Sequence, residues 1–382
     1  MTSLSFYGGI CEVGGNKILL EDKGTKIFID FGKSYGKEGM FFQEFVKARK
    51  SNGLGDQIDL GILPDIDGLY REDLVKHYGN TPKDTDFQAV LISHAHGDHV
   101  DYVTYLNKEI PIYMGKTTKG ILQALHEIQG RRDREVLDYK EIGSGYRDAP
   151  IQRDIREFSS GQKFKIDSLE ILPIHVDHSI PGAYGFIIYT SSGPVVYTGD
   201  LRLHGTKPQM TREFIEAAKK EKPIALLAEG THIKDAPKEE SEAKVFDDGL
   251  EVVSRSKSFV CADFNFRDVD RVRTFYNIAK RTNRKFVINL KNAPFLKYFH
   301  QFPELDIPNY DDPDVILCKT KLYTGTFADS DYRGFAQYVN LPNTKTTVEI
   351  GQEQEKYLCA MGFYNFPQFI DMKIKSGTYI HS

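Results

Sequence analysis

The sequence predicts an α/β fold in two parts. Apolar runs of strand length recur, and several stop abruptly at histidines or carboxylates. The last third alternates strand-like and helix-like runs in the order of a parallel βαβ sheet. A chain of 382 residues also exceeds what one ordinary core holds, so two domains are expected.

Composition narrows the class. Hydrophobic residues make up 40% and charged residues 27%, as in a globular protein. No apolar run approaches the roughly 20 residues of a membrane helix. The start, Met1-Thr2-Ser3-Leu4-Ser5-Phe6, lacks the basic and apolar regions of a signal peptide. Cys11, Cys261, Cys318 and Cys359 form no C-x-x-C, so they read as free thiols of a cytoplasmic protein. A net charge of −4 gives no global nucleic-acid signal.

The N-terminus reads as a β-meander: Leu4–Tyr7, Lys17–Leu20 and Lys26–Ile29, with a turn at Glu21-Asp22-Lys23-Gly24. Gly8, Gly9, Gly14 and Gly15 are turn and close-packing glycines, since no G-K-[ST] follows them. Asp30 ends the third strand. A helix is expected over Phe41–Lys50, with Phe42, Phe45 and Val46 on one face. His77, in a polar run, reads as surface.

The densest chemistry is Phe87 to His99. An apolar run reaches Ser93, and His94, His96, Asp98 and His99 follow within six residues. The run has the make-up of a strand buried on both faces. Its polar end therefore falls at the strand's C-terminal tip, where open α/β sheets keep their chemistry. Imidazole nitrogens and a carboxylate are the ligands zinc prefers. A helix over Lys116–Ile128 follows, then a charged, glycine-rich stretch over 129–163.

Three later strands repeat the pattern. Leu169–Gly182 reads as a strand running into a polar tip that carries both His175 and His178, and the pattern alone does not choose between them. Val195–Tyr197 leads to Asp200, with His204 just beyond. Ile224–Ala228 leads to Glu229. In the last third, Ser258–Ala262, Arg267–Thr282 and Lys285–Leu290 read as strand, helix and strand. Arg267 to Lys297 holds nine Lys or Arg against two Asp. Such a run is either the solvated face of a helix or a phosphate contact, to which Arg267, Arg271 and Arg273 would contribute.

His94-Ala95-His96-Gly97-Asp98-His99 resembles the H-x-H-x-D-H signature of the metallo-β-lactamase fold. That resemblance implies an αββα sandwich with two metals at one sheet edge. His178-Ser179-Ile180-Pro181 and Thr198-Gly199-Asp200 resemble the motifs of ribonuclease J-like members. They select His178 over His175 as the ligand and make Asp200 the bridging carboxylate. The strand ending at Glu229 resembles motif A of the β-CASP branch, which processes nucleic acids. Glu12-Val13-Gly14-Gly15-Asn16-Lys17 and Ala262-Asp263-Phe264-Asn265-Phe266-Arg267-Asp268 resemble the same group.

The resemblance implies a metallo-β-lactamase domain over 1–237 and a β-CASP-type α/β domain over 238–382, with Lys238–Glu242 as a charged junction. His94, His96 and His178 would hold one Zn2+, and Asp98, His99 and Asp200 the other, with Mn2+ the alternative ion. Asp98 and Glu229 would be catalytic, while Asp30 and His204 would support the site or the substrate. The implied reaction is phosphodiester cleavage of RNA or single-stranded DNA. A small-molecule ester, thioester or lactone hydrolase would use the same metals, and a non-catalytic metal- or RNA-binding relative is the third reading. The family's two late histidine motifs have no counterpart before Ser382, so the chain reads as truncated at its C-terminus. One side of the sandwich should then be uncovered, for a second copy or another partner to close.

Overall fold

Alternation of buried residues builds the first two layers. In the computed structural model, which describes all residues except 44, 130–134, 146, 232, 234–240 and 322–324, β1 (Ser3–Gly8), β2 (Lys17–Asp22) and β3 (Thr25–Phe31) form an antiparallel meander. Lys23 and Gly24 turn the second hairpin with φ of 49° and 85°, the left-handed pair that a two-residue loop requires. β4 (Ala89–Leu91), β5 (Ile112–Gly115) and, after the short β6–β7 ribbon (Asp138–Tyr139 with Ile151–Gln152), β8 (Ile155–Phe158) extend the sheet in parallel. The second sheet holds β9 (Phe164–Ile166), β10 (Leu169–His175), β11 (Tyr184–Thr190), β12 (Gly193–Tyr197) and β13 (Ala225–Leu227) in sequential order.

The sheets lie face to face. Ile18, Leu20, Ile27, Ile29 and Leu91 of the first pack against Ile171, Phe186, Ile188 and Val195 of the second. On the outer face of the first sheet, Phe28, Val90 and Ile92 meet Tyr102, Ile121 and Leu125. On that of the second, Ile187 and Val196 meet Phe214 and Ala218 of the helix Pro208–Lys220. Side chains that alternate along a strand thus bury both faces and give the four layers αββα.

A third, all-parallel sheet comes from the last third of the chain. It contains β14 (Phe259–Asp263), β15 (Lys285–Asn289), β16 (Val315–Lys319), β17 (Thr344–Thr346), β18 (Tyr357–Ala360) and β19 (Gly377–His381). Its order is β17-β16-β15-β18-β14-β19, so β18 inserts between β15 and β14. Helices cover both faces, among them Val269–Arg281 on one and Phe366–Asp371 on the other. One continuous core joins this sheet to the sandwich through the helices Lys116–Gln129 and Ala293–Phe299.

The helix expected over Phe41–Lys50 is corrected. The helix runs Tyr35–Phe41, capped by the Ser34 hydroxyl, which accepts from the Lys37 amide. Phe45 and Val46 are exposed, so an apolar stripe with nothing to pack on did not extend it. The 237/238 boundary and residues 238–240 of the charged junction lie outside the described residues. All four cysteines are free, with Cys11 exposed and the rest buried. Among the described residues no helix is long and apolar enough to cross a membrane.

Candidate metal centre

Strand tips from both sheets converge on one point. β4 delivers His94 to His99, the loop after β10 delivers His178, and the loop after β12 delivers Asp200. His94, His96, His178 and Asp200 each offer a ligand atom, all within 4.8 Å of one another. Asp98, His99 and Asp200 form a second such group, so Asp200 is common to both. His96 Nδ1 lies 3.1 Å from His94 Nε2 and 3.0 Å from His178 Nε2. Asp200 Oδ1 lies 3.3 Å from His99 Nε2, and its Oδ2 lies 3.7 Å from His178 Nε2.

The electrostatics favour a cation. Burial pushes His94 well below the ordinary imidazole value, and neighbouring imidazoles push it further. Burial likewise takes His96 down to about 2 and His178 to about 4. Each of these rings is therefore neutral at neutral pH and keeps one nitrogen lone pair for a ligand role. Nitrogens about 3 Å apart can share an N–H, and nitrogens about 2 Å from one zinc have about that same separation. Burial also raises the Asp98 carboxyl, with His99 opposing it. For Asp200 burial is outweighed by the hydrogen bond and charge of His99, which hold it down to about 2. The donor set thus fits divalent metal.

Asp30 anchors the centre from behind. It is fully buried, with φ of 55°. Its carboxylate accepts from the Ser93 amide, the Ser93 hydroxyl, the Tyr197 hydroxyl and His99 Nδ1, each at 2.7 Å. A donor at Nδ1 fixes the His99 tautomer and leaves Nε2 facing Asp200. Burial works against a charged His99, but Asp30 and Asp200 outweigh it and raise its pKa.

The N-terminal glycines are packing elements. A side chain at Gly14 would meet the Asp98 carboxylate at 2.5 Å, and one at Gly32 would meet the Asp98 carbonyl at 1.6 Å. The Asn16 amide donates to the Asp98 carbonyl at 3.1 Å, and Asn16 Nδ2 lies 3.2 Å from His99 Nε2. Buried Lys17 ties this loop down through the carbonyls of Gly15 and Gly32, and burial lowers its pKa to about 8.

Other candidate residues fall elsewhere. His175 is outside both ligand groups and packs on the Tyr184 ring at 4.3 Å. Glu229 is exposed and accepts from the Thr231 amide, yet it lines the same cleft of about 750 Å³ as Asp98, His99 and Asp200. Exposed His204 lies just past Asp200, outside the ligand groups, and its carbonyl accepts from the Glu242 amide. Arg271 pairs with Glu242, and Arg273 pairs with Asp270 and donates to the Leu305 carbonyl at 2.7 Å. Guanidinium groups committed in this way join elements of the fold. Arg267 is half-buried, and its charge acts on His96.

Sequence reasoning missed the collar around the site. Arg202 donates to Asp177 at 3.1 Å and to Asp270 at 2.5 Å, with Asp268 at 3.7 Å. Asp177 adjoins His178 and Arg202 follows Asp200 by two, so one guanidinium ties both ligand loops to the start of the helix Val269–Arg281. Proximity to two ligand positions was the available signal for Arg202. Ser93 and Tyr197, which brace Asp30, offered none beyond standing at strand ends.

A model of the β-lactamase superfamily domain matches residues 64–235. Ribonuclease J of Helicobacter pylori strain J99 is 25% identical over 333 residues, covering 82% of this chain and 41% of that protein. Ribonuclease J of Mycoplasma genitalium is 22% identical over 368 residues, covering 91% and 56%. The chain therefore spans about two fifths to just over half the length of these relatives. A solved structure of a protein of unknown function from Enterococcus faecalis V583 covers the whole chain and 80% of its own, with a TM-score of 0.71 at 22% identity. The two share a fold.

Proposed function

We propose that this chain, a ribonuclease J-like protein of the metallo-β-lactamase fold, is a metal-dependent hydrolase that cleaves phosphodiester bonds of RNA. The observation that carries this reading is the pair of ligand groups meeting at Asp200. His94, His96 and His178 would hold one zinc, and Asp98, His99 and Asp200 the other, with manganese the alternative. Bound divalent ions would supply Lewis acidity, which activates water and stabilises charge on phosphoryl oxygens. Asp98, with its carboxyl pKa raised by burial, would orient the attacking water and take its proton. Asp30 would keep His99 in its ligating tautomer, and exposed Glu229 would contact water or substrate in the cleft. Residues 238–382 would form a β-CASP-type domain that guides the strand.

Labelled RNA with zinc or manganese tests the reading. His96→Ala and Asp98→Ala should each lower cleavage by at least roughly 100-fold, the low end of general-base contributions. Cleavage at the rate of the unaltered chain in both variants would end the proposal.

A further inference from the structure

Outside the metal centre and its collar, a side-chain cluster stands without a role. It lies at the C-terminal edge of the third sheet. In open parallel sheets ligands bind outside the strand ends where the winding direction reverses. Here the reversal falls at β18, which returns between β15 and β14 after β16 and β17 have extended the sheet the other way.

Directly beyond β18 comes Gly362-Phe363-Tyr364-Asn365-Phe366. Phe363 is 67% exposed and Tyr364 92%, while Phe366 and the β19 residue Tyr379 are exposed by about two fifths. The rings touch in series. Tyr364 meets Phe363 edge-on at 5.8 Å, Phe363 meets Phe366 edge-on at 5.3 Å, and Phe366 stacks on Tyr379 at 5.7 Å.

Hydrogen-bonding groups border the rings. The Tyr379 hydroxyl donates to Asp263 at the end of β14. His381 Nδ1 lies 3.7 Å from the same carboxylate. The Asn365 side chain accepts from the Gly362 amide at 3.1 Å, and a side chain at Gly362 would meet Asp263 at 2.8 Å. A purely protein-binding patch has a dry apolar centre depleted of charge. Here π faces alternate with a carboxylate, an imidazole and an amide, the complement of nucleobase faces and edges. The same strand end continues to the metal centre. Five residues past Asp263, Asp268 lies 3.7 Å from Arg202, itself two past Asp200.

We infer that Phe363, Tyr364, Phe366 and Tyr379 form a base-stacking platform for single-stranded RNA engaged at the metal centre. This rests on the nuclease reading above. Stacking tolerates any base, because every base has a π face, so the platform would grip a strand without selecting its sequence.

The test uses the full chain and two labelled strands of equal length, one an oligoribonucleotide and one an abasic ribose-phosphate analogue. The oligoribonucleotide should bind more tightly, and Phe363→Ala and Tyr364→Ala should each remove roughly 5- to 100-fold of that preference. Equal binding of the two strands would overturn the proposal. So would variants that keep the preference but lose a dimer seen by light scattering, which would assign the rings to self-association. Hydrolysis of bis(p-nitrophenyl) phosphate by the unaltered chain reports the metal centre independently, because that substrate has no base. Hydrolysis with no base preference would sink the platform alone, and absence of both would sink the nuclease reading with it.

Discussion

Two sets of strand tips in this molecule carry side-chain clusters, and they are built on opposite physical terms. In the sandwich, tips end in imidazoles and carboxylates that are buried or half-buried, crowd one another and are braced by Asp30. In the third sheet they end in rings that stand in water and touch mainly each other. The first arrangement gathers groups that repel or shift one another's protons, so its geometry must be imposed by the fold. The second spends little stability and leaves surface for something else to cover. Preorganised chemistry needs the former, while sequence-tolerant grip needs only the latter.

The contrast breaks if the braces of the sandwich tips prove dispensable. Asp30→Ala strands four donors, one of them a charged imidazole, so unfolding in urea should show a loss of about 3–5 kcal/mol. A variant within 0.5 kcal/mol of the unaltered chain, by the usual surface standard, would mean that the tips are not held under tension. The next effect sharpens the contrast through pH. The folded His178 imidazole titrates at about 4 against the ordinary 6.5. Between those values the unfolded chain takes a proton that the folded chain refuses, so stability rises with pH from about 4 to 6.5 and this contribution is flat above. Metal-free His178→Gln should lose on the order of 3 kcal/mol of that rise in denaturation profiles. His99 has the opposite sign. Its raised pKa stabilises the fold fully below 6.5, and that contribution fades as pH climbs towards the folded value. The smallest effect belongs to the rings: Tyr364→Ala should shift stability by less than about 0.5 kcal/mol, read in the same unfolding assay.

Much of this was legible in the residues, for definable reasons. Short strand-like runs and turn residues marked β1 to β3, and apolar runs closed by polar clusters marked β4, β10 and β12. Four ligand types within six residues can be read without a fold. The choice of His178 over His175 came from resemblance, because both lie near one strand tip and only the fold decides which faces Asp200. Phe41–Lys50 misled because a helical stripe predicts burial only where a partner surface exists. The arginines of the third region stayed open to two readings for a related reason. Clustered charge looks alike whether it meets phosphate or internal carboxylates, and here Glu242 and Asp270 claim Arg271 and Arg273. Arg202 joins residues far apart in the chain, which no local window contains.

The position of β18 has a kinetic consequence. β14 and β15 are finished by residue 289, but the strand that joins them begins only at Tyr357. Until it arrives, both carry a bare ladder of amides and carbonyls on their inner flanks. Closing that gap requires a long loop to be threaded home before any reward, which slows assembly. A ribosome paused within that interval would display two sticky flanks of β-sheet, and chaperone capture or clumping of nascent chains should concentrate there.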